Sequence, residues 1–373
     1  MKRIGFYATI KPPDHAIASG DRLIARNLIK ALTLAGFKVD LESRFIAYSK
    51  READTVLKQR KLEALQEAES IISRLRNAPP DLWITYHPYC KAPDWIGPKV
   101  CSALNIPYVT VEAARTGQGF ESGGDRWKTW RDEAQASISK ANLHLSLKPT
   151  DRTYLKTLLG DDASIEMLAP FIDTDIPAQL PDVTHPENWR AGAPTLVTVG
   201  MMRPGKKVEN YRILAQALTQ LQALHWNLVI IGSGPEELAI REFFSSINPD
   251  RYIFAGAVPH EQVLAHMARS DLFVWPGWKE PIGMVYLEAQ LMGLPVAALD
   301  SMGVSLTVHH GQTGLLAAEV DPDAFRNNLS NLISHPSLRQ DLGTAARNSV
   351  NKRHSLQSAA STLQQALNPL MSS

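Results

Sequence analysis

The chain has 373 residues, and its 39 lysines and arginines against 38 aspartates and glutamates leave a net charge of +1 before histidine. That balance excludes the clustered positive charge with which non-specific nucleic-acid binders displace counterions. The length implies two domains, each able to bury its own core.

Taken in chain order, residues 4–10 are a short apolar run with β-branched and aromatic members and read as a buried strand. The run turns polar at Lys11-Pro12-Pro13-Asp14-His15, too early for a signal-peptide core. Ser19-Gly20-Asp21 then supplies capping chemistry for a helix in which Leu23, Ile24, Leu28, Leu32 and Leu34 recur until Gly36. Strand character returns at 37–41, 82–86, 108–111 and 143–147. Between them, residues 48–76 are strongly helical and charge-rich, with Lys50, Arg51, Lys58, Arg60 and Lys61 interleaved with Glu63, Glu67 and Glu69. A solvated helical face explains most such runs, and peripheral membrane contact is the lesser reading. Cys90 and Cys101 are too few for a disulfide framework and lack metal-ligand spacing, which fits a reducing cytoplasm. No run approaches the roughly 18 apolar residues of a membrane helix.

Pro177, Pro181, Pro186 and Pro194 mark an interdomain linker, after which the rhythm restarts. Strands are expected at 195–199, 228–231, 252–254, 272–275 and 295–299, with helices at 211–224, after Pro235, and at 261–269 and 283–292. Such alternation implies parallel sheets covered by helices on both faces. The domains expected are an amino-terminal one over 1–175, a linker over 176–193 and a carboxyl-terminal one over 194–350. Residues 351–373 form a final helix that can cross back to the first domain. Two facing domains of this kind leave a cleft, with functional residues on post-strand loops.

The most informative loop follows Trp275. It carries Glu280, and a helix is expected to begin near Pro281, a residue favoured in a first turn because its missing N–H would go unsatisfied there. The amides of Ile282, Gly283 and Met284 then suit a phosphate. Glu288, more than a turn further on, suits paired hydroxyls such as those of a ribose, while Glu280 reaches another part of the same ligand. Singly, each glutamate reads as structural. The companion feature is Val199-Gly200-Met201-Met202-Arg203-Pro204-Gly205-Lys206-Lys207, where post-strand cations can clamp a diphosphate. Gly232-x-Gly234 lacks the third glycine of a dinucleotide fingerprint, and Glu236-Glu237 oppose an anion, which excludes a dehydrogenase. In the first domain His87 lies in an aromatic, proline-rich post-strand loop, where substrate contact and a structural hydrogen bond are equally open. Glu112 and Arg115 share a glycine-rich loop that is either acceptor-facing or an ordinary connection.

Glu280 and Glu288, separated by seven residues and followed by Ala289, Gly293, Leu294, Pro295 and Val296, resemble the E-x7-E signature of retaining glycosyltransferases of family 4. Val199-Gly200 followed by Lys206 resembles that family's loop carrying an arginine and a lysine on the donor diphosphate. Ile230-Ile231-Gly232-Ser233-Gly234-Pro235 resembles its next strand-turn, and Phe254-Ala255-Gly256-Ala257-Val258 its nucleobase-contacting segment. Ser19-Gly20-Asp21 with the following helix is similar to its glycine loop, and the likeness extends to bacterial members.

The resemblance implies an α/β GT-B fold, two Rossmann-like β/α/β domains facing a central cleft. It further implies a cytoplasmic enzyme of polysaccharide biosynthesis that moves a sugar, with retention, from a nucleoside-diphosphate sugar to a glycan or lipid-linked glycan. No cofactor, metal or nucleic acid is expected, and peripheral contact with the inner face of the membrane would involve residues 50–61. By the same likeness Glu280, Arg203 and Lys206 are catalytic. Gly20, Ile282, Gly283, Met284, Glu288, Gly232 and Val258 bind the donor, and His87, Glu112 and Arg115 stand on the acceptor side. Three positions depart from the family pattern. Met201 stands where its arginine follows the glycine, leaving Arg203 as the substitute; Glu112 stands where a histidine ends the strand; and Leu306 replaces a glutamate. A nucleotide-sugar epimerase or hydrolase, or a binding protein that has lost catalysis, stays open beside the transferase.

Overall fold

The computed structural model describes residues 1–17, 19–114, 127–189 and 191–371. They form two compact units, the first from Met1–Ala169 with Leu356–Ser373 and the second from Pro170–Ser355.

In the first unit β1 (Arg3–Ala8), β2 (Lys38–Ser43), β3 (Leu82–Tyr86), β4 (Tyr108–Val111), β5 (Leu143–Ser146) and β6 (Ile165–Met167) make a six-stranded sheet in the order β2-β1-β3-β4-β5-β6. Every pairing is parallel. Strands β3, β4 and β5 are buried along their whole length, as a sheet covered on both faces requires. The helices here are α1 (Gly20–Leu34), α2 (Asp54–Leu75), α3 (Gly97–Leu104), α4 (Lys128–Ile138) and α5 (Pro149–Leu159). Ser19 caps α1 by accepting from the Arg22 amide, and Ile24, Ala25, Leu28, Ala31 and Leu32 bury one face. Asp94 is buried and accepts from the Thr85 hydroxyl at 2.6 Å, the Tyr108 hydroxyl at 2.8 Å and the amides of Ile96 and Gly97 at 2.9 and 2.8 Å. It thereby joins the start of α3 to β3 and β4. On α2 several cations are already engaged within the unit: Lys61 pairs with Glu133 at 2.7 Å, Arg74 with Glu42 at 2.6 Å, and Arg60 donates to the Ile46 carbonyl at 2.7 Å.

The second unit repeats the plan with β7 (Thr195–Val199), β8 (Asn227–Ile231), β9 (Tyr252–Gly256), β10 (Leu272–Val274), β11 (Val296–Asp300) and β12 (Gly314–Ala318), all parallel in the order β12-β11-β10-β7-β8-β9. Its helices are α6 (Lys206–Thr219), α7 (Glu237–Phe243), α8 (His260–Ala268), α9 (Met284–Leu291), α10 (Pro322–Ser334) and α11 (Pro336–Arg353). Tyr211, Trp226, Phe244, Phe273, Trp275 and Tyr286 are fully buried in its core. Two helix starts differ from the sequence reading. Helix α6 begins at Lys206 rather than 211, because Gly205 at φ 86° turns the chain straight into it. Helix α9 begins at Met284 rather than near Pro281, because Gly283 holds a left-handed φ of 73° and interrupts the turn. Residues 176–193 cluster with this unit: Val183 is buried, and Leu180 and Trp189 pack on its core.

The chain then returns to the first unit as α12 (Leu356–Leu367), which buries Leu356, Ala359, Ala360, Leu363 and Leu367 and packs on α1, where Gln364 Nε2 donates to the Ala35 carbonyl at 3.3 Å. At the boundary, the Ile172 amide donates to the His354 carbonyl at 2.8 Å, and His354 Nδ1 lies 2.6 Å from the Pro170 carbonyl. Among the described residues no helix is long and apolar enough to cross a membrane.

Candidate functional site

In the second unit the neighbouring strands β10, β7, β8 and β9 release four loops at one carboxyl edge, where parallel sheets take ligands. A Cβ on Gly232 (φ 139°) would lie 1.9 Å from the Gly200 carbonyl oxygen, and one on Gly234 2.2 Å from that of Met202. The loops after β7 and β8 therefore run backbone to backbone, an approach only glycine permits. The loop after β10 is stitched to α6: Asn210 Oδ1 accepts from the Trp278 amide at 2.7 Å, Asn210 Nδ2 donates to the Trp278 carbonyl at 3.2 Å, and Lys206 Nζ donates to the Lys279 carbonyl at 3.3 Å.

Lys207, not Lys206, faces the expected glutamate. Its Nζ lies 2.7 Å from Glu280 Oε2 and 5.2 Å from the centre of the Trp275 ring. Arg203 and Met201 on the loop before α6, and Lys206 at its first position, are exposed. Ile282 and Gly283 are buried behind Glu280, and the Gly303 amide donates to the Glu280 carbonyl at 3.1 Å, bracing this loop from the one after β11. Met284 opens α9 and packs beside Leu287 and Leu291. Glu288 follows on the same helix; burial pushes its carboxyl above the usual range, and His260, with Nε2 4.0 Å away, pulls it back. Val258 follows β9, half-buried against the core.

The first unit carries a second cluster. His87 and Glu112 follow the adjacent strands β3 and β4, and both hold left-handed backbone angles, φ 59° and 55°. His87 Nδ1 lies 3.1 Å from Asp21 Oδ1. Glu112 accepts from the Tyr86 hydroxyl and from Lys148 Nζ, each at 3.0 Å, and Lys148 Nζ also lies 3.0 Å from Asp151. Burial opposes charge on Glu112, yet His87 and Lys148 hold its carboxyl below the usual range. Burial likewise favours a neutral His87, but Glu112 and Asp21 raise its pKa. Gly20 opens α1 beside Asp21, and a Cβ there would meet nothing within 4 Å, so packing does not demand glycine. Arg115 lies outside the described residues. Among the described residues no group of three or more His, Cys, Asp or Glu side chains is placed to hold a metal.

Residues 193–335 match the family model described as Glycosyl transferases group 1. Over this part the chain is similar to group 1 glycosyltransferases. The chain is 28% identical over 270 residues to the GDP-mannose-dependent alpha-(1-6)-phosphatidylinositol monomannoside mannosyltransferase of Mycolicibacterium smegmatis, covering 68% of this chain and 70% of that protein. It is 29% identical over 157 residues to the N-acetyl-alpha-D-glucosaminyl L-malate synthase of Bacillus anthracis, where the match spans 42% of this chain and 40% of that enzyme. The sucrose-phosphate synthase of Thermosynechococcus elongatus superposes over 100% of both chains with a TM-score of 0.75 at 20% identity. HepE of Anabaena, solved with UDP and glucose, superposes over 99% of this chain and 100% of its own with a TM-score of 0.67 at 17% identity. The fold of the chain is thus GT-B, two Rossmann-like domains.

Sequence reasoning missed three residues of these two clusters. Lys207 is hidden because two lysines are adjacent and only the start of α6 decides which one turns inward. Lys148 and Asp151 carry no local motif, and their link to Glu112 spans 36 residues.

Proposed function

We propose that this glycosyltransferase moves a sugar, with retention, from a nucleoside-diphosphate sugar to a hydroxyl of a glycan or lipid-linked glycan. The observation that carries the reading is the Lys207–Glu280 pair at 2.7 Å on the same sheet edge as Glu288 and the close-packed glycine loops. As the anomeric carbon–oxygen bond of the donor breaks, negative charge grows on the leaving diphosphate. Lys207, Lys206 and Arg203, with the start of α9, meet that charge without calling on a metal. The acceptor oxygen bonds to the anomeric carbon from the face the diphosphate leaves, and its proton passes to the departing phosphate oxygen. Glu280, held by Lys207, receives hydroxyls of the transferring sugar, and Glu288 receives those of the ribose.

The mannosyltransferase and malate-acceptor relatives support this class of chemistry without naming the donor of this chain. A lipid-linked acceptor would be met from the cytoplasmic side by a local patch, and Lys50, Arg51 and Lys58 are exposed around the start of α2. Glu288→Ala tests the donor site. Loss of hydrogen bonds to a charged group costs about 1.5–3 kcal/mol, so UDP or GDP affinity measured by calorimetry should fall by roughly ten- to a hundredfold. Unchanged affinity removes the ribose role.

A further inference from the structure

We propose that Asn210 and Ser301 are positioning residues for Glu280, clamping the backbone of residues 278–280 from two sides so that the carboxylate meets the donor sugar as a fixed group. The inference rests on the transfer reading above, because that reading supplies what the glutamate is held for.

The completeness of the clamp is the first support, since each backbone polar group from Trp278 to Glu280 has a partner. The Trp278 amide donates to Asn210 Oδ1 at 2.7 Å, and the Trp278 carbonyl accepts from Asn210 Nδ2 at 3.2 Å. The Lys279 amide donates to Ser301 Oγ at 2.9 Å, and the Lys279 carbonyl accepts from Lys206 Nζ at 3.3 Å. The Glu280 amide donates to the Gly277 carbonyl at 3.0 Å, and the Glu280 carbonyl accepts from the Gly303 amide at 3.1 Å. Connecting loops ordinarily run over the surface and move more than the elements they join. This one is held by α6 on one side and by the loop after β11 on the other.

Backbone strain is the second support. Lys279 and Met302 hold left-handed angles, φ 54° and 48°, one on each of the two loops that the Ser301 contact joins. Non-glycine residues persist there only where the surrounding structure over-determines them. The loops also touch backbone to backbone, since a Cβ on Gly303 would lie 1.7 Å from the Pro281 carbonyl oxygen. Burial is the third support. Asn210 and Ser301 are each 1% exposed, and Asn210 Nδ2 donates to the Lys206 carbonyl as well, at 2.7 Å. Its companions on α6, Tyr211, Leu214 and Leu218, are fully buried in the core. A buried amide is costly unless its polar atoms are paired, so an apolar residue at 210 would serve the core equally and would lose the loop.

The division of roles follows. Lys207 takes Glu280 Oε2 at 2.7 Å, but both side chains are partly exposed, 29% and 19%, and such a pair is a weak tether. It turns the carboxylate, whereas the clamp fixes the backbone from which the carboxylate extends. Placement of that kind matters because a displacement of about 1 Å can cost about a hundredfold in rate.

The experiment pairs calorimetry on the full chain, with UDP, GDP, UDP-glucose and GDP-mannose as probes, with amide hydrogen exchange over residues 278–280. Glu280→Gln should lower the affinity for a nucleotide sugar relative to its diphosphate by about tenfold, the scale of one hydrogen bond to a charged group. Ser301→Ala should lower the same ratio by a similar factor while leaving UDP and GDP affinity unchanged, and Asn210→Leu should lower it too. Ser301→Thr, which keeps the oxygen, should restore it. Combined with Glu280→Gln, Ser301→Ala should add nothing, because a positioning residue acts only through the group it positions. In exchange, the Lys279 amide should lose its protection in Ser301→Ala and the Trp278 amide in Asn210→Leu. A merely structural residue would weaken diphosphates and nucleotide sugars alike and would add in the double variant. Either of those results overturns the proposal, as does unchanged exchange at Lys279 in a folded Ser301→Ala chain. Should Asn210→Leu fail to fold, Ser301→Ala decides. If none of the four probes binds the unaltered chain, the transfer reading falls, and the exchange measurement alone decides whether the two residues clamp the loop.

Discussion

Lys206 and Lys207 are identical in chemistry and adjacent in sequence, yet one donates to a carbonyl on the surface and the other lies against Glu280 and Trp275. The difference comes from Gly205, whose positive φ sets the phase of α6. The two substitutions should therefore separate in kinetics. Lys207→Met removes a charge beside the glutamate and, in the proposed mechanism, beside the departing diphosphate, and should lower kcat/KM by about a hundredfold, the scale of losing one electrostatic contact in the transition state. Lys206→Met should cost several-fold less. Equal losses in steady-state rates would mean that the Glu280 contact does not matter. Residue chemistry explains why Glu280 and Glu288 could be found from sequence: both belong to one local spacing that ends in Gly293-Leu294-Pro295. Glu112 was visible only as a carboxylate after a strand, since Lys148 comes from the far side of β5.

At the scale of elements, strands that are buried on both faces announce themselves as continuous apolar runs, and β3, β7, β8 and β11 stand where the sequence places them. Strand β6 has three residues, none of them buried, and offers no such run. Helix ends shift by a few residues wherever a positive-φ glycine intervenes, as at Gly205 and Gly283. Between elements, Asp94 is the joint that sequence does not disclose, because its four donors come from β3, β4 and the start of α3. Asp94→Ala leaves buried hydroxyls and amides without an acceptor, each worth about 1–3 kcal/mol. A loss of about 3 kcal/mol or more is expected in urea unfolding followed by tryptophan fluorescence, which reports on the buried Trp83 that donates to Thr85 at 3.0 Å.

For the whole molecule, two sheets with the same parallel plan divide the work unevenly. The second carries the loops matched to the group 1 glycosyltransferase model, while the first carries the charged cluster around His87. A nucleotide that binds the folded chain stabilises it by mass action, by about 2.7 kcal/mol at a hundred times its dissociation constant. UDP or GDP should accordingly raise the melting temperature, and Glu288→Ala should abolish most of that rise. No shift with either nucleotide, in a chain that melts cooperatively, would count against the donor site. The near-zero net charge takes its place at this scale, since a diphosphate needs a few local cations and not a basic surface.

The return of α12 to the first unit has a bearing on how the protein is made. The second unit is complete in the nascent chain once Ser355 has been added, whereas the first, although it starts at Met1, still lacks the helix that covers α1. Until Leu356–Leu367 emerges, α1 lacks part of its cover. The half of the protein translated first is thus the half finished last, and its exposed helix face is open to chaperones throughout synthesis of the second.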